Sequence, residues 1–222
     1  MNVEVNGVKK AYRKKEVLRG VSFRASDGEC IGILGGKGSG KSTLLHVLAG
    51  VLKADEGSFL CGGADLLKDD KKRNHLIGFV PQDNPLIPEL TAWDNLRLWY
   101  DRKVLERELD GGTLSMLGIN QFLKVPVHSM SGGMMKRLSL GCAIASSPKV
   151  LLLDEPSTAL DLICRQKIYD YFEKFRKGGG IIIIATHDVQ EISQCSSCHI
   201  LKEGVLSPYV YDGDVTRLIG IL

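Results

Sequence analysis

The segment from Gly35 to Thr43 contains the residue types that can hold a chain of phosphates. In order, its residues are Gly35, Gly36, Lys37, Gly38, Ser39, Gly40, Lys41, Ser42 and Thr43. The glycines allow positive φ angles and a close approach of backbone N–H groups to an anion. Lys41 can neutralise β- and γ-phosphates, and the hydroxyl of Ser42 can bind Mg²⁺. This spacing predicts a nucleoside triphosphate site.

A second candidate site is the pair of carboxylates Asp154 and Glu155, which follow the apolar run from Val150 to Leu153. If that run is a strand of a parallel sheet, its C-terminal end lies beside the phosphate-binding segment. Asp154 is then placed to hold Mg²⁺ through water, and Glu155 to orient an attacking water or accept its proton. The alternative is that both carboxylates only add surface charge. Pro156, directly after a buried strand and its two acidic residues, favours the functional interpretation.

Both candidate sites need an α/β core to bring them together. The apolar run from Cys30 to Leu34 predicts the strand that leads into the phosphate-binding segment, and a helical pattern runs from Thr43 to about Leu52. The runs 150–153 and 181–185 are continuously apolar, which is typical of strands buried on both faces of a parallel sheet. A helix from about Asp161 to Lys177 connects these two strands.

The residues around this core predict a β-rich region. Residues 2–34 alternate in the manner of strands, with turns at Asn6-Gly7 and Asp27-Gly28. A second β-rich stretch comprises 57–61 and 77–80. We therefore expect an N-terminal β region ahead of the core.

A helical insertion is predicted from Thr91 to about Ser147, because helical periodicity dominates there. Within it, Ser131-Gly132-Gly133 precedes an amphipathic helix from Met134 to about Ala145. Ser131 is a candidate N-cap, and a helix N-terminus can bind an anion. Taken alone, this pattern is a better signal for a helix cap than for a phosphate site.

The composition is ordinary for a globular protein, with 222 residues, 44% hydrophobic residues and 25% charged residues. A net charge of +3 is too small to predict nucleic-acid binding by itself. The charge run 68–73 predicts a solvated loop or helix face. No apolar run approaches the ~18 to 20 residues of a membrane span, and the first residues lack the features of a signal peptide, so we expect a cytoplasmic protein.

Taken together, these features resemble the ATP-binding subunit of an ABC transporter over nearly the whole chain. Tyr12 stands where that family places an aromatic ring against adenine, and Gln82 where it places a glutamine that touches Mg²⁺ and senses the membrane partner. The segment from Met130 to Met134 is similar to the family signature L-S-G-G-Q. The segment from Ser157 to Asp161 resembles the loop that crosses the dimer interface, and His187 resembles the histidine that contacts the γ-phosphate.

The resemblance implies a P-loop NTPase (RecA-like) α/β core with an N-terminal antiparallel β subdomain and an α-helical subdomain inserted at about 91–147. It implies that residues 1–222 form a single ABC-type ATP-binding domain. The site residues that it implies are Tyr12 and Gly35 to Thr43 for ATP, Ser42, Gln82 and Asp154 for Mg²⁺, and Lys41, Glu155 and His187 for catalysis.

The resemblance also implies a mechanism and partners. In this family two nucleotide-binding domains pack head to tail, so Ser131, Gly132, Gly133 and Met134 would close the site of a second copy or a close relative, with Asp161 in the crossing loop. The other implied partner is a transmembrane permease, which would hold the chain on the inner face of the cell membrane, with no nucleic acid involved. Met134 in place of the usual glutamine is similar to the ABC-2 branch of multidrug, antibiotic and polysaccharide exporters.

Two other classes remain open at this point. A soluble ABC-type ATPase could act on DNA or in the assembly of a cofactor cluster, although DNA-repair members need long arms or extra domains that 222 residues do not hold. A cluster-assembly ATPase is harder to separate from a transporter subunit. A nucleotide sensor without catalysis conflicts with the presence of Glu155 and His187.

Overall fold

The computed structural model describes residues 1–13, 15–158 and 160–221. The strands are β1 (Asn2–Tyr12), β2 (Lys15–Ser26), β3 (Cys30–Leu34), β4 (Glu56–Cys61), β5 (Ala64–Asp65), β6 (Ile77–Val80), β7 (Val150–Asp154), β8 (Ile181–Ala185), β9 (Ser197–Lys202) and β10 (Val205–Tyr209). They form two sheets. The first has the order β2-β1-β4-β5, and the second has the order β10-β9-β3-β8-β7-β6.

The helices are α1 (Lys41–Leu48), α2 (Asp70–Leu76), α3 (Ala92–Arg97), α4 (Arg102–Leu109), α5 (Thr113–Met116), α6 (Gly132–Ala143), α7 (Leu162–Lys177), α8 (Val189–Ser193) and α9 (Val215–Ile221). Helix α1 ends four residues earlier than the sequence pattern predicts. Gly50 follows with a φ of 78°, a conformation that ends a helix and that most other residues avoid. Among the described residues, no helix combines the length and the apolar content that crossing a membrane requires.

The first sheet is antiparallel and is built mainly from the long β1–β2 pair. The predicted turn at Asn6-Gly7 is wrong, because β1 continues through it to Tyr12. Gly7 has a φ of 58°, and the register of β1 against β2 shifts between Val5 and Val8, so the glycine marks a β-bulge. The predicted turn at Asp27-Gly28 is present between β2 and β3.

The second sheet is parallel except for β10, and it brings three strand ends together. In register, Asp154 at the end of β7 pairs with Ala185 at the end of β8, and Ala185 pairs with Ile33 of β3. The segments after β3, β7 and β8 therefore leave the same edge of the sheet, which is where ligands bind in open α/β sheets.

The continuous apolar runs are explained by burial on both faces of this sheet. Val150 and Leu152 belong to a core that also contains residues of α1 and of the antiparallel sheet. Leu151 and Leu153 belong to a second core shared with α7 and with the helices between β6 and β7. The parallel sheet is thus the middle layer of the fold. Both of its faces are covered, so its central strands are apolar throughout and show no alternation of polar and apolar residues.

The helical insertion lies between β6 and β7, with its helices running from Ala92 to Ala143. It begins with a capping box in which Thr91 accepts from the backbone of Asp94 and Asp94 accepts from the backbone of Thr91. In the charge run ahead of β6, Arg73 departs from the prediction of a solvated face. It is 8% exposed, and its Nη1 donates to the carbonyl of Leu66 at 2.9 Å.

Candidate nucleotide site

The phosphate-binding segment forms a tight turn between β3 and α1. Gly38 and Gly40 have φ values of 81° and 108°, which a residue with a Cβ rarely adopts. A Cβ on Gly40 would also lie 2.9 Å from the Val17 side chain, so this glycine is needed for close packing too. The turn ends at the N-terminus of α1, whose N–H groups have no side-chain cap and are available to an anion.

Lys41 bends back over this turn. Its Nζ donates to the carbonyls of Gly35 at 2.7 Å and of Gly36 at 3.2 Å. Burial lowers the pKa of Lys41, while Glu155 and Asp154 work in the opposite direction. The ammonium is therefore held over the same turn that offers backbone N–H groups. Ser39, inside the turn, has a buried hydroxyl with no hydrogen-bond partner in the part of the chain that the structure describes.

Asp154 is buried at the end of β7, with 1% of its surface exposed. Its Oδ2 is buried and has no hydrogen-bond partner among the described residues. Burial raises the pKa of Asp154, and the Ser42 hydroxyl facing the same carboxylate offsets part of this rise. An unpaired carboxylate oxygen beside a hydroxyl is a set of oxygen ligands that fits Mg²⁺.

Glu155 is held by side chains from two other segments and by Thr158, three residues later in its own segment. His187 Nδ1 lies 3.1 Å from Glu155 Oε1, and Gln82 Nε2 donates to Oε2 at 3.3 Å. The hydroxyl of Thr158 also donates to Oε2 at 3.3 Å. Gln82 comes from the loop after β6 and His187 from the segment after β8, so the sheet brings these predicted residues to one point.

The backbone of Glu155 is in a conformation that most residues avoid. Its φ is 47°, in the left-handed region, and its N–H donates to the carbonyl of Ala185 at 2.9 Å. Such a conformation costs about 1 to 3 kcal/mol and is found mainly at functional sites. Here it turns the carboxylate directly after Asp154 towards Gln82 and His187.

Beside the phosphate-binding turn lies an open cleft of about 760 Å³. Its lining comes from the start of β2, from the turn itself and from the β9–β10 turn. Tyr12 is not among the described residues that line it. The Tyr12 side chain is 45% exposed at the end of β1, and its ring centroid lies 5.9 Å from Lys10 Nζ.

The signature-like segment forms the N-terminus of α6, starting two residues earlier than the sequence pattern predicts. Ser131 is the N-cap, as predicted, and its hydroxyl accepts from the N–H of Met134 at 3.3 Å. Ser131 and Gly132 are exposed. Gly133 is buried, and a Cβ there would lie 2.8 Å from Cys164 Sγ at the start of α7.

The segment before α7 packs against this same helix start. Asp161 caps α7 by accepting from the N–H of Cys164 at 2.8 Å, which also lowers the pKa of Asp161. A Cβ on Gly133 would lie 3.8 Å from a Leu160 side-chain carbon. The exposed Asp161 therefore lies beside the exposed start of α6, although the two segments are distant in sequence.

A family model decides how these features are to be classified. The model described as "ABC transporter" matches residues 18–158, which span the phosphate-binding turn, the signature segment and both carboxylates. The chain belongs to the ABC transporter family. Its resemblance to that family in sequence is thereby confirmed.

Two curated relatives of this ABC domain come from bacteria. The chain is 31% identical over 207 residues to the linearmycin resistance ATP-binding protein LnrL of Bacillus subtilis, an alignment that covers 91% of the chain and 67% of the relative. It is 34% identical over 207 residues to the Nod factor export ATP-binding protein I of Sinorhizobium fredii, covering 91% of the chain and 60% of the relative. The chain thus spans about two thirds or less of the length of these relatives.

A solved ABC cassette has the same fold. It is a dimeric ATP-binding cassette in a post-hydrolysis state bound to ADP and phosphate, with a TM-score of 0.83 and 28% sequence identity. The match covers 96% of this chain and 100% of the solved one. The predicted fold class, a P-loop NTPase core with an antiparallel β subdomain and helices, is confirmed, and the domain is an ATP-binding cassette with ATPase activity.

Three residues of this ABC domain were missed by the sequence analysis as parts of the site. Val17 borders the phosphate-binding turn, and Glu191 accepts from the N–H of Ser157 at 3.1 Å and from the Ser157 hydroxyl. Lys136 reaches the loop that carries Gln82. No motif marks these positions, and because Lys and Glu are mostly exposed in proteins, the burial of Lys136 and Glu191 could not be predicted from the sequence.

Proposed function

We propose that this chain is the ATP-hydrolysing subunit of a membrane transporter, more specifically an exporter, and that it works through ATP-driven head-to-tail dimerisation. The observation that carries the proposal is the position of Glu155. Its carboxylate follows Asp154 at the sheet edge and contacts both Gln82 and His187. A base held in this way beside a phosphate-binding turn is suited to activating water against a triphosphate.

ATP would be bound first by the phosphate-binding turn. The backbone N–H groups from Gly35 to Thr43 and the ammonium of Lys41 meet the phosphates there. In the structure Lys41 donates to carbonyls of its own turn. Phosphate oxygens are stronger acceptors because they are charged, so Lys41 exchanges these bonds for bonds to ATP. Tyr12 is proposed to stack on adenine, which requires the ring to turn from Lys10.

Mg²⁺ would be held by Ser42, Gln82 and Asp154. The support is the unpaired Oδ2 of Asp154 and the Ser42 hydroxyl that faces this carboxylate. When bound, the ion supplies positive charge to the β- and γ-phosphates as the terminal bond breaks. Gln82 would join this set through its amide oxygen, while its amide nitrogen donates to Oε2 of Glu155.

Hydrolysis would then use Glu155 as the base. Its carboxylate accepts the proton of the attacking water. His187, which is 60% exposed, contacts the other oxygen and is proposed to touch the γ-phosphate. Lys41 stabilises the negative charge on the transferred group.

One subunit supplies only part of the positive environment that a triphosphate needs. We assign the remainder to a second cassette, whose α6 would direct its N-terminus at the γ-phosphate with Ser131, Gly132, Gly133 and Met134. The support is the exposure of Ser131 and Gly132, which leaves this helix start open. Asp161 lies beside it and would take part in the same interface. Two copies of the chain would form two equivalent sites.

The proposed membrane partner would dock on an apolar groove of about 490 Å³ between the core and the helical insertion. The lining includes Phe79, Leu86, Cys142 and the exposed Val51 and Trp99. Gln82 lies in the loop that leads from β6 to this groove, so nucleotide binding and docking are close in sequence and space. The resistance and export functions named for the relatives favour an exporter, with this chain peripheral on the inner face of the membrane.

Replacement of Glu155 by Gln tests this function. The amide keeps the size of the side chain but cannot accept the proton, so turnover is expected to fall by about 10²- to 10⁴-fold. ATP binding should remain, since Lys41 and the phosphate-binding turn are intact. The variant should therefore accumulate as a dimer with MgATP, which size-exclusion chromatography with light scattering measures.

Glu89→Gln is a matched control, because Glu89 is an exposed glutamate away from the site. It should hydrolyse ATP as the unmodified chain does and form no stable dimer. Unchanged hydrolysis in Glu155→Gln would refute the assignment of the base. A Glu155→Gln variant that binds ATP tightly and stays monomeric would refute the dimer mechanism.

A further inference from the structure

Lys136 is a buried basic residue in the helix that carries the signature segment. It lies on α6 and is 5% exposed. Its Nζ donates to the carbonyl of Pro81 and to the carbonyl of Gln82, both at 3.1 Å. These carbonyls belong to the loop after β6, more than fifty residues earlier in the chain. The ammonium therefore joins the signature helix of a subunit to the glutamine loop of the same subunit.

Burial of this charge is unfavourable unless hydrogen bonds and opposite charges compensate for it. Loss of solvent lowers the pKa of Lys136, and four carboxylates favour its charged form, namely Asp154, Asp83, Glu155 and Glu191. An apolar side chain of similar length could fill the same space without that cost. Asp154 and Glu155, at the Mg²⁺ end of the nucleotide site, are among these carboxylates, so the charge of Lys136 lies within electrostatic reach of that end.

The next residue along α6 shows that Lys136 is not needed to attach this helix to the other helices of the insertion. Arg137 is also buried, and its Nη1 donates to the carbonyl of Leu117 at 2.8 Å. Its guanidinium carbon lies 5.0 Å from the centre of the Phe122 ring. Arg137 thus links α6 to the rest of the helical insertion, and Lys136 links it to the core. Successive residues of a helix point in directions about 100° apart, which allows this division.

Gln82 is the residue of that loop whose environment changes with nucleotide. Its amide nitrogen donates to Glu155, and the proposed function places its amide oxygen on Mg²⁺. Fixing this side chain on the ion would shift the backbone carbonyl that Lys136 holds. Since Lys136 lies about one helical turn after Gly133, this shift would reach the exposed start of α6.

We propose that Lys136 is a positioning residue that couples occupancy of the Mg²⁺ end of the nucleotide site to the orientation of the signature segment in the same subunit. The surface offered to the second cassette then depends on whether the first site is loaded. This effect on the second cassette rests on the proposed dimer mechanism, whereas the coupling within one subunit does not. It is an allosteric link in the sense that two separate sites bias one shared element.

The test is made first on the monomeric chain by amide hydrogen exchange, with and without MgATP. In the unmodified chain, MgATP is expected to change exchange both in 81–86 and in 131–136. In Lys136→Met the change should remain in 81–86 and disappear from 131–136. Lys136→Arg, which can still donate to both carbonyls, should restore it. Equal responses in Lys136→Met and the unmodified chain would overturn the proposal.

Arg73→Met controls for the loss of a buried cation as such. Arg73 is buried and donates to a main-chain carbonyl, that of Leu66, and to Asp70; among the described residues, none of its hydrogen bonds reaches the glutamine loop or α6. Its variant should keep the response to MgATP in both segments. If Arg73→Met also loses the response in 131–136, the effect is a general loosening of the fold and Lys136 has no specific role.

A second measurement tests the consequence for the partner. In the Glu155→Gln background, Lys136→Met should bind ATP with unchanged affinity but require a roughly tenfold higher protein concentration to dimerise. If Glu155→Gln alone fails to dimerise, the proposed dimer mechanism fails, while the exchange experiment still decides the coupling. If Lys136→Met dimerises like its parent, Lys136 does not position the signature.

Discussion

The phosphate-binding turn and the signature segment are both glycine-rich and both precede a helix, but their surroundings differ. In the turn, Lys41 bonds to carbonyls of its own segment, and the carboxylates of Asp154 and Glu155 lie close to it. At the start of α6, Ser131 supplies its own cap, and Ser131 and Gly132 are exposed to solvent. The first brings together groups of one chain, and the second is an exposed surface that we propose meets a second cassette.

The glycines serve different purposes in the two segments. Gly38 and Gly40 take positive φ angles, which determine the path of the turn around an anion. Gly133 allows close packing on Cys164, and a Cβ on Gly132 would meet no atom within 4 Å. The comparison shows that similar glycine-rich patterns can serve different purposes: one forms the phosphate-binding turn, and the other forms an exposed helix start that we propose faces the nucleotide of a second cassette. It also means that variants of the two segments should fail in different ways.

The largest effect is expected from Lys41→Ala. Loss of a charged donor to the phosphates should weaken ATP binding by about 10- to 150-fold and remove measurable turnover. The thermal stability of the nucleotide-free chain should change little, because the bonds of Lys41 to its own turn are replaced by water. Binding is measured with a fluorescent ATP analogue and turnover by phosphate release. Lys37→Ala, which removes an exposed side chain of the same turn, should behave like the parent, and substantial ATPase activity in Lys41→Ala would contradict the assignment.

Gly132→Asp should affect the signature segment at the start of α6. The new carboxylate has room and lies at a helix N-terminus, where it stabilises the isolated chain by about 0.3 to 1 kcal/mol. The same charge would repel the triphosphate of a partner, so ATP-dependent dimerisation and turnover should be lost while ATP binding is retained. Gly132→Ala should keep both. Calorimetry and light scattering measure these opposite changes, and full turnover in Gly132→Asp would show that the signature does not face nucleotide.

Mixing these two inactive variants sharpens the comparison. A head-to-tail pair of Lys41→Ala and Gly132→Asp contains one site in which the turn and the facing signature are both intact. The mixture should therefore regain ATPase activity, whereas either variant alone stays inactive. If each chain used its own signature, the mixture would remain as inactive as its components.

The smallest effect is expected for the stability of Asp154→Asn in the absence of Mg²⁺. Burial raises the pKa of Asp154, so its charged form destabilises the fold above the ordinary carboxyl range. Removing this charge should stabilise the metal-free chain by about 1 to 3 kcal/mol near neutral pH. The gain should shrink as the pH falls through the raised pKa, where the parent carboxyl is protonated. Thermal unfolding with EDTA at several pH values measures it, and a less stable variant near neutral pH would show that the charge is compensated.

Much of the core could be predicted because its signals are local. The apolar runs at β3, β7 and β8, the helix after the phosphate-binding turn and the cap at Ser131 are all present at or near their predicted positions. The segments 57–61 and 77–80 were also predicted as strands. Both are strands, but they belong to different sheets: β4 joins the antiparallel sheet and β6 the edge of the parallel sheet. Strand propensity does not specify a partner strand, which depends on contacts distant in sequence.

By itself, the sequence determined the chemistry of this protein: a phosphate-binding turn with its lysine, a pair of carboxylates after an apolar strand, and a helix start capped by a serine. Only the tertiary structure decided which groups meet. It holds Glu155 between Gln82 and His187, leaves Tyr12 outside the described lining of the cleft, and sets Lys136 against the glutamine loop. The physical reason is that turn and cap preferences act over a few residues. The meeting of strand ends and the burial of a charge depend on how the layers pack.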